Sequence, residues 1–334
     1  RRTLKMENTK KFRINEFLTN NAMYIVILIM IIYTGITRPN FLSLQTAMNV
    51  VSNASVRFII ALGVSGTLII RGTDLSAGRV VGLSAIITGT LVQKPDYAAK
   101  FFPNLPDMPL IVPLIIVVLV CATVGVLNGL VVSVLNVPPF LATLGSQIVI
   151  YGVNMIYGKN QPIGTFKPEF IQIGQGKLFG VPYIALIAAV VGFGMWVLYK
   201  KTRYGKYMYA IGGNEHAAEV SGVNVRLSKI KIFGLAGALY GLAGYLLSAK
   251  SGSVGPSSGM GYELEAIASA TIGGVSTAGG QGTVPGILLG VFVFELLKVA
   301  LAYHGVLPEV TNVIQGAIII VAVALDIKKT MRRK

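Results

Sequence analysis

Six charged residues fall inside or at the edge of stretches that are otherwise apolar: Arg57, Asp74, Glu263, Glu265, Glu295 and Lys298. At the centre of a membrane helix such a charge costs roughly 2.5–3.5 kcal/mol on insertion scales, so each calls for a partner. Glu295 and Lys298 stand three apart and are expected to neutralise one another. Asp74 has Arg71 and Arg79 nearby, and fits equally well as a cap for a helix beginning near Ser76. Arg57 has no local partner and is assigned to Glu263 or Glu265. Carboxylates at such depth also keep an ion-driven symporter in view.

Other catalytic patterns are weaker. Gly63-Val64-Ser65-Gly66 has the shape of an intramembrane serine nucleophile site, with His304 as its only later histidine apart from His216. A serine nucleophile needs its base within hydrogen-bond reach, whereas Ser65 falls deep in one apolar segment and His304 in a turn after another. Glycines at 63 and 66 read more simply as helix-packing contacts. Each Gly-Lys pair (158–159, 176–177, 205–206) is followed by Asn, Leu or Tyr, so no GxxxxGK[ST] phosphate loop is present. Cys121 is the sole cysteine, which leaves no disulfide framework or cysteine metal cluster, and no metal site is expected.

The elements that position these residues are membrane spans. Of 334 residues, 53% are hydrophobic and 13% charged, with mean hydropathy +0.69; soluble domains carry about 25% charge. The net charge of +16 sits at the ends of apolar segments and not along a stripe, which argues against a nucleic-acid partner. Ten apolar segments are expected to span: 17–36, 45–70, 77–92, 110–135, 140–157, 181–199, 230–249, 262–275, 284–303 and 310–325. This arrangement places 20 Lys and Arg inside and 7 outside, so both termini are expected in the cytoplasm. The domain plan is a tail over 1–16, one transmembrane unit over 17–327, and a tail over 328–334; no cleavable signal peptide is expected. Segments 72–86 and 274–290 are both Gly/Ser-rich breaks leading into apolar spans, a candidate internal repeat that points to a transport pathway.

One long basic interruption, 199–231, is expected to be cytoplasmic and carries a short helix signal. Asn214 suits an N-cap, Glu215 the first turn, and Gly222 the close. At 100° per residue Ala217, Ala218 and Ser221 share a small-residue face, with Glu215 and Glu219 on another. The run AIGGNEHAAEVSGVNV closely resembles the cytoplasmic coupling segment of ABC-importer permeases of the monosaccharide (ribose and galactoside) branch. RGTDLSAGRVVGLS at 71–84 resembles the same branch, in a form nearest its galactose/methyl-galactoside members.

That resemblance, over about 41–326, implies an all-α polytopic permease of type II-like architecture, about ten transmembrane helices with some broken, in a bacterial inner membrane. It implies no enzyme site and no cofactor in this chain, with ATP and Mg held by a separate cytoplasmic ATPase subunit. The expected partners are that ATPase, an extracytoplasmic sugar-binding protein, a second permease copy and membrane lipid. ATPase coupling is carried over to Gly213, Asn214, Glu215, Ala217, Ala218, Glu219, Ser221, Gly222 and Asn224. Residues 278–282 (AGGQG) are similar to the ABC signature loop but lack a nucleotide-binding domain around them. A sugar is neutral and rich in hydroxyls, so its path is sought among Asn53, Ser65, Asp74, Asn128, Gln147, Asn154, Asn312 and Gln315. Each of these also serves as an ordinary helix-packing contact. The expected solute is galactose or methyl-galactoside, with ribose, another sugar or a nucleoside as the alternative.

Overall fold

The computed structural model describes residues 25 and 27–331, without the side chains of 325–331. Helices dominate, because a chain in lipid must satisfy its backbone polar groups internally. In chain order they are α1 (Ile27–Thr37), α2 (Leu44–Ile69), α3 (Ala77–Leu91), α4 (Ile111–Ser133), α5 (Pro139–Tyr157), α6 (Pro168–Gln175), α7 (Tyr183–Lys201), α8 (Arg203–Gly213), α9 (Glu215–Val220), α10 (Val225–Ser251), α11 (Tyr262–Ile272), α12 (Val284–Tyr303) and α13 (Pro308–Met331). Each of the ten expected segments contains a helix. Among the described residues, α2, α4, α5, α7, α10 and α12 are long and apolar enough to cross a membrane alone. The helices α1, α3 and the Pro308–Ala324 part of α13 are shorter apolar elements, and α11 has 11 residues. The part of the first expected span before residue 25 lies outside the described residues.

The bundle is built around α10, which packs against α4, α3 and α2. Asn224 starts it by accepting from the Leu227 amide at 2.9 Å, and Gly252 ends it at φ 71°. Glycine permits the α4–α10 seam: a Cβ on Gly237 would lie 2.2 Å from the Cys121 carbonyl oxygen. Two features escaped the sequence reading. The 159–180 loop folds into α6 and a two-strand hairpin, β1 (Lys177–Leu178) against β2 (Val181–Pro182). The basic interruption over 199–231 contains α8 as well as the expected α9.

The two Gly/Ser-rich breaks are real interruptions, at 70–76 before α3 and at 273–283 before α12. The second depends on glycine, since Gly279 (φ 88°) and Gly280 (φ 73°) take left-handed backbone. The helix after the first begins at an Asp74 turn, in which Oδ1 accepts from the Ser76 amide (3.0 Å) and hydroxyl (2.6 Å). Asp74 pairs with neither Arg71 nor Arg79; it holds the turn before α3, whose N-cap residue is Ser76, and the Tyr240 hydroxyl donates to its other oxygen at 3.2 Å.

Candidate functional site

The short helix α9 forms as its local signals require. Asn214 is extended at φ −152° and its Oδ1 accepts from the Ala217 amide at 3.0 Å. Glu215 accepts from Lys229 Nζ at 2.7 Å. Ser221 donates to the Ala217 carbonyl at 2.7 Å, and Gly222 closes the turn at φ 87°. The small-residue face is split, however. Ala218 is 5% exposed and belongs to the protein's own core, because α9 lies against α8 and the start of α10. The outward surface consists of Glu215, His216, Ala217, Glu219, Ser221 and the 76%-exposed Val220. Periodicity identified the arc but not which half of it the chain itself covers.

Just before α9, the end of α8 is fastened to both helix breaks. Arg71, in the first break, donates from Nε to the Gly212 carbonyl (2.9 Å) and from Nη2 to the Gly213 carbonyl (2.8 Å). Tyr209 donates to the Gly282 carbonyl, in the second break, at 2.7 Å. Gly212 fits only because it lacks a side chain: a Cβ there would sit 1.8 Å from the Ile69 carbonyl oxygen. Sequence reasoning gave Arg71 to Asp74 or to topology; the Gly212-Gly213 doublet was the available sign that another backbone approaches closely.

A second polar region lies within the bundle, around the start of α11. Gly78 is packed against Gly259 and Glu263, and at 1.5 Å per residue it lies roughly 20 Å along α3 from Leu91. Arg57, which binds Glu265, lies roughly 20 Å along α2 from Leu44. Against a hydrocarbon thickness of about 30 Å, both rulers place the first turn of α11 inside the membrane. The chain over 252–261 therefore descends beside α3, and α11 is a half-helix that begins at depth.

The charges there are shared otherwise than expected. Glu265 is the hub, 2.8 Å from Arg57 and 2.8 Å from Lys298, while Glu295 answers Arg57 at 3.4 Å. The expected Glu295–Lys298 pair does not form, since Lys298 reaches across to α11 instead. Arg57 does meet Glu265, and Tyr262 lies beneath its guanidinium at 5.2 Å. Lys250 is hydrogen-bonded to Asn53 Oδ1 beside this network.

The remaining candidate path residues do not gather at one place. Asn128 donates to Ser76 Oγ at 3.0 Å within the Asp74 knot. Ser65 donates to the Leu62 carbonyl at 2.8 Å and lies 3.3 Å from the Tyr199 hydroxyl, a packing role. It is not paired with His304, whose ring nitrogens meet Thr34 (3.1 Å) and Arg38 (3.2 Å). Gln147 donates to Glu263 Oε1 at 3.5 Å, and Asn154 to the Arg79 carbonyl at 3.1 Å. Asn312 and Gln315 lie on α13, which packs against α11. No three metal-ligating side chains cluster among the described residues.

A family model described as "Branched-chain amino acid transport system / permease component" matches residues 46–323. The chain belongs to this family. Among permeases, it is 44% identical over 328 residues to the galactose/methyl galactoside import permease protein MglC of Escherichia coli K12, covering 95% of this chain and 97% of that one. The same-named protein of Haemophilus influenzae is 42% identical, covering 98% and 99%. The ribose import permease protein RbsC of Escherichia coli K12 is 31% identical, covering 96% and 97%. No solved structure matches.

Proposed function

We propose that this permease is the membrane subunit of an ATP-driven importer for galactose or methyl galactoside, working by alternating access in the bacterial inner membrane. The observation that carries the reading is the 44% identity to a galactose/methyl galactoside permease across almost the whole of both chains, against 31% to a ribose permease. In this reading ATP and Mg are bound by a separate cytoplasmic ATPase that docks on the outward surface of α9. A sugar-loaded extracytoplasmic protein docks on the opposite side, and a second copy of the permease completes the pathway. Both termini face the cytoplasm, in keeping with the inside excess of Lys and Arg.

The bonds from Arg71 and Tyr209 would carry movement of α9 directly to the two helix breaks. The test is uptake of labelled galactose, methyl galactoside and ribose by cells that lack their own permeases and express this chain with its ATPase and binding protein. Accumulation of the galactosides supports the reading, and accumulation of ribose alone overturns it.

A further inference from the structure

Between α3, α5 and α11 the protein holds more hydrogen-bonding capacity than it uses. Arg79 is 8% exposed and Glu263 5%, opposite charges buried in the same region. Neither forms an ion pair among the described residues, whereas Glu265 nearby is paired with both Arg57 and Lys298. Arg79 Nη1, Glu263 Oε2 and Asn154 Oδ1 have no hydrogen-bond partner among the described residues. Buried charges are ordinarily paired or hydrogen-bonded, since leaving one alone is strongly destabilising. A cluster serving stability alone would bring these two together.

What surrounds them has the chemistry of a sugar site. Gln147 and Tyr151 stand four apart on one face of α5, the first reaching Glu263, the second with its ring 4.3 Å from the Arg79 guanidinium carbon. Tyr151 is 37% exposed, so part of its ring remains free. The irregular 252–261 chain closes the other side, its Ser258 and Gly259 carbonyls against Gly82 and Gly78. Irregular backbone at membrane depth occurs where it is buried in protein or lines a cavity.

We propose that Arg79, Gln147, Tyr151 and Glu263 are the contact set that handles the sugar inside the permease. Glu263 accepts hydrogen bonds from neighbouring hydroxyls, Arg79 and Gln147 donate to ring substituents, and Tyr151 offers its free face to a C–H surface. The two charges cancel, which favours a neutral pyranose with adjacent hydroxyls over a charged solute. The inference rests on the sugar-import reading and assigns residues to it.

The experiment uses the permease with its ATPase in proteoliposomes and saturating, preloaded binding protein, so that outside affinity does not decide the result. Turnover is measured for galactose and its monodeoxy analogues in the parent, Gln147→Ala, Tyr151→Leu and Glu263→Gln. Gln147→Ala and Glu263→Gln are expected to cut galactose turnover about tenfold, on the scale of one hydrogen bond to a charged group. ATP hydrolysis stimulated by the loaded binding protein should persist. At least one deoxy analogue should lose much less than galactose does, because its missing hydroxyl was the one contacted.

Equal losses for every sugar, or no loss, overturn the assignment. Should Glu263→Gln fail to reach the membrane, the half-buried Gln147→Ala carries the same comparison. A parent complex that moves ribose and no galactoside overturns the galactoside reading alone, and the contact set is then judged on the ribose deoxy series.

Discussion

Gly280 donates its amide proton to the Ile69 carbonyl at 2.8 Å, and this bond joins the break after α11 to the break after α2. Arg71, two residues beyond Ile69, then grips the end of α8. The end of α8 and the two interrupted helices are therefore tied together by a handful of short, directional contacts.

Arg71→Gln should separate ATP hydrolysis from transport. The amide is too short to hold both the Gly212 and Gly213 carbonyls, yet it leaves the outward surface of α9 intact. The variant is expected to co-purify with its ATPase at parental levels while uptake falls at least about tenfold. Parental uptake would show that the grip is not part of the coupling.

On α9 the decisive contrast is between Val220 and Ala218. Val220→Arg alters a side chain that is 76% exposed, so it should abolish co-purification with the ATPase at normal membrane abundance. Ala218→Arg forces a charge into the 5%-exposed position and should lower abundance itself. Glu215→Gln loses only a partly exposed pair with Lys229, usually worth less than about 1 kcal/mol, and should be mild. Immunoblots of membranes beside pull-downs distinguish these outcomes.

Within the bilayer, Glu265→Gln should reduce membrane abundance more than Glu295→Gln, because Glu265 serves Arg57 and Lys298 together. Adding Lys298→Gln to Glu265→Gln should recover part of the loss, since an unpaired buried charge costs more than a missing pair. Abundance by quantitative immunoblot decides the order of the variants.

Sidedness is checked with an impermeant thiol reagent on intact cells in a Cys121→Ala background. Ala210→Cys, on the exposed side of α8, should resist labelling, and Phe179→Cys, at a position 98% exposed in the hairpin turn, should react. Labelling at 210 would invert the arrangement.

The sequence carried what is local. Asn214, Glu215 and Gly222 specify α9 through cap and turn chemistry that acts within a few residues, and that helix formed as read. The ten apolar segments were legible because each is a run of residues. Partnership across the bundle was not: Glu295 and Lys298 have helical spacing, but Lys298 is drawn to Glu265, 33 positions earlier in the chain. The depth of α11 was likewise hidden, because nothing in residues 252–261 says that the chain turns inward beside Gly78 and Gly82. Gln147 and Asn154 were found as polar residues on a helix, while Arg79, Tyr151 and Glu263 joined them only through tertiary placement.

With backbone pressed on backbone where Gly237 meets Cys121, and again where Gly125 meets Phe233, α4 and α10 have no clearance for even one added methyl group. Such a contact can neither slide nor open without losing its packing all at once. The pair is thereby built as one close-packed unit. In the alternating access proposed above, any swing of α12 would have to part Gly279 and Gly280 from Gly212 and Gly213 at the end of α8.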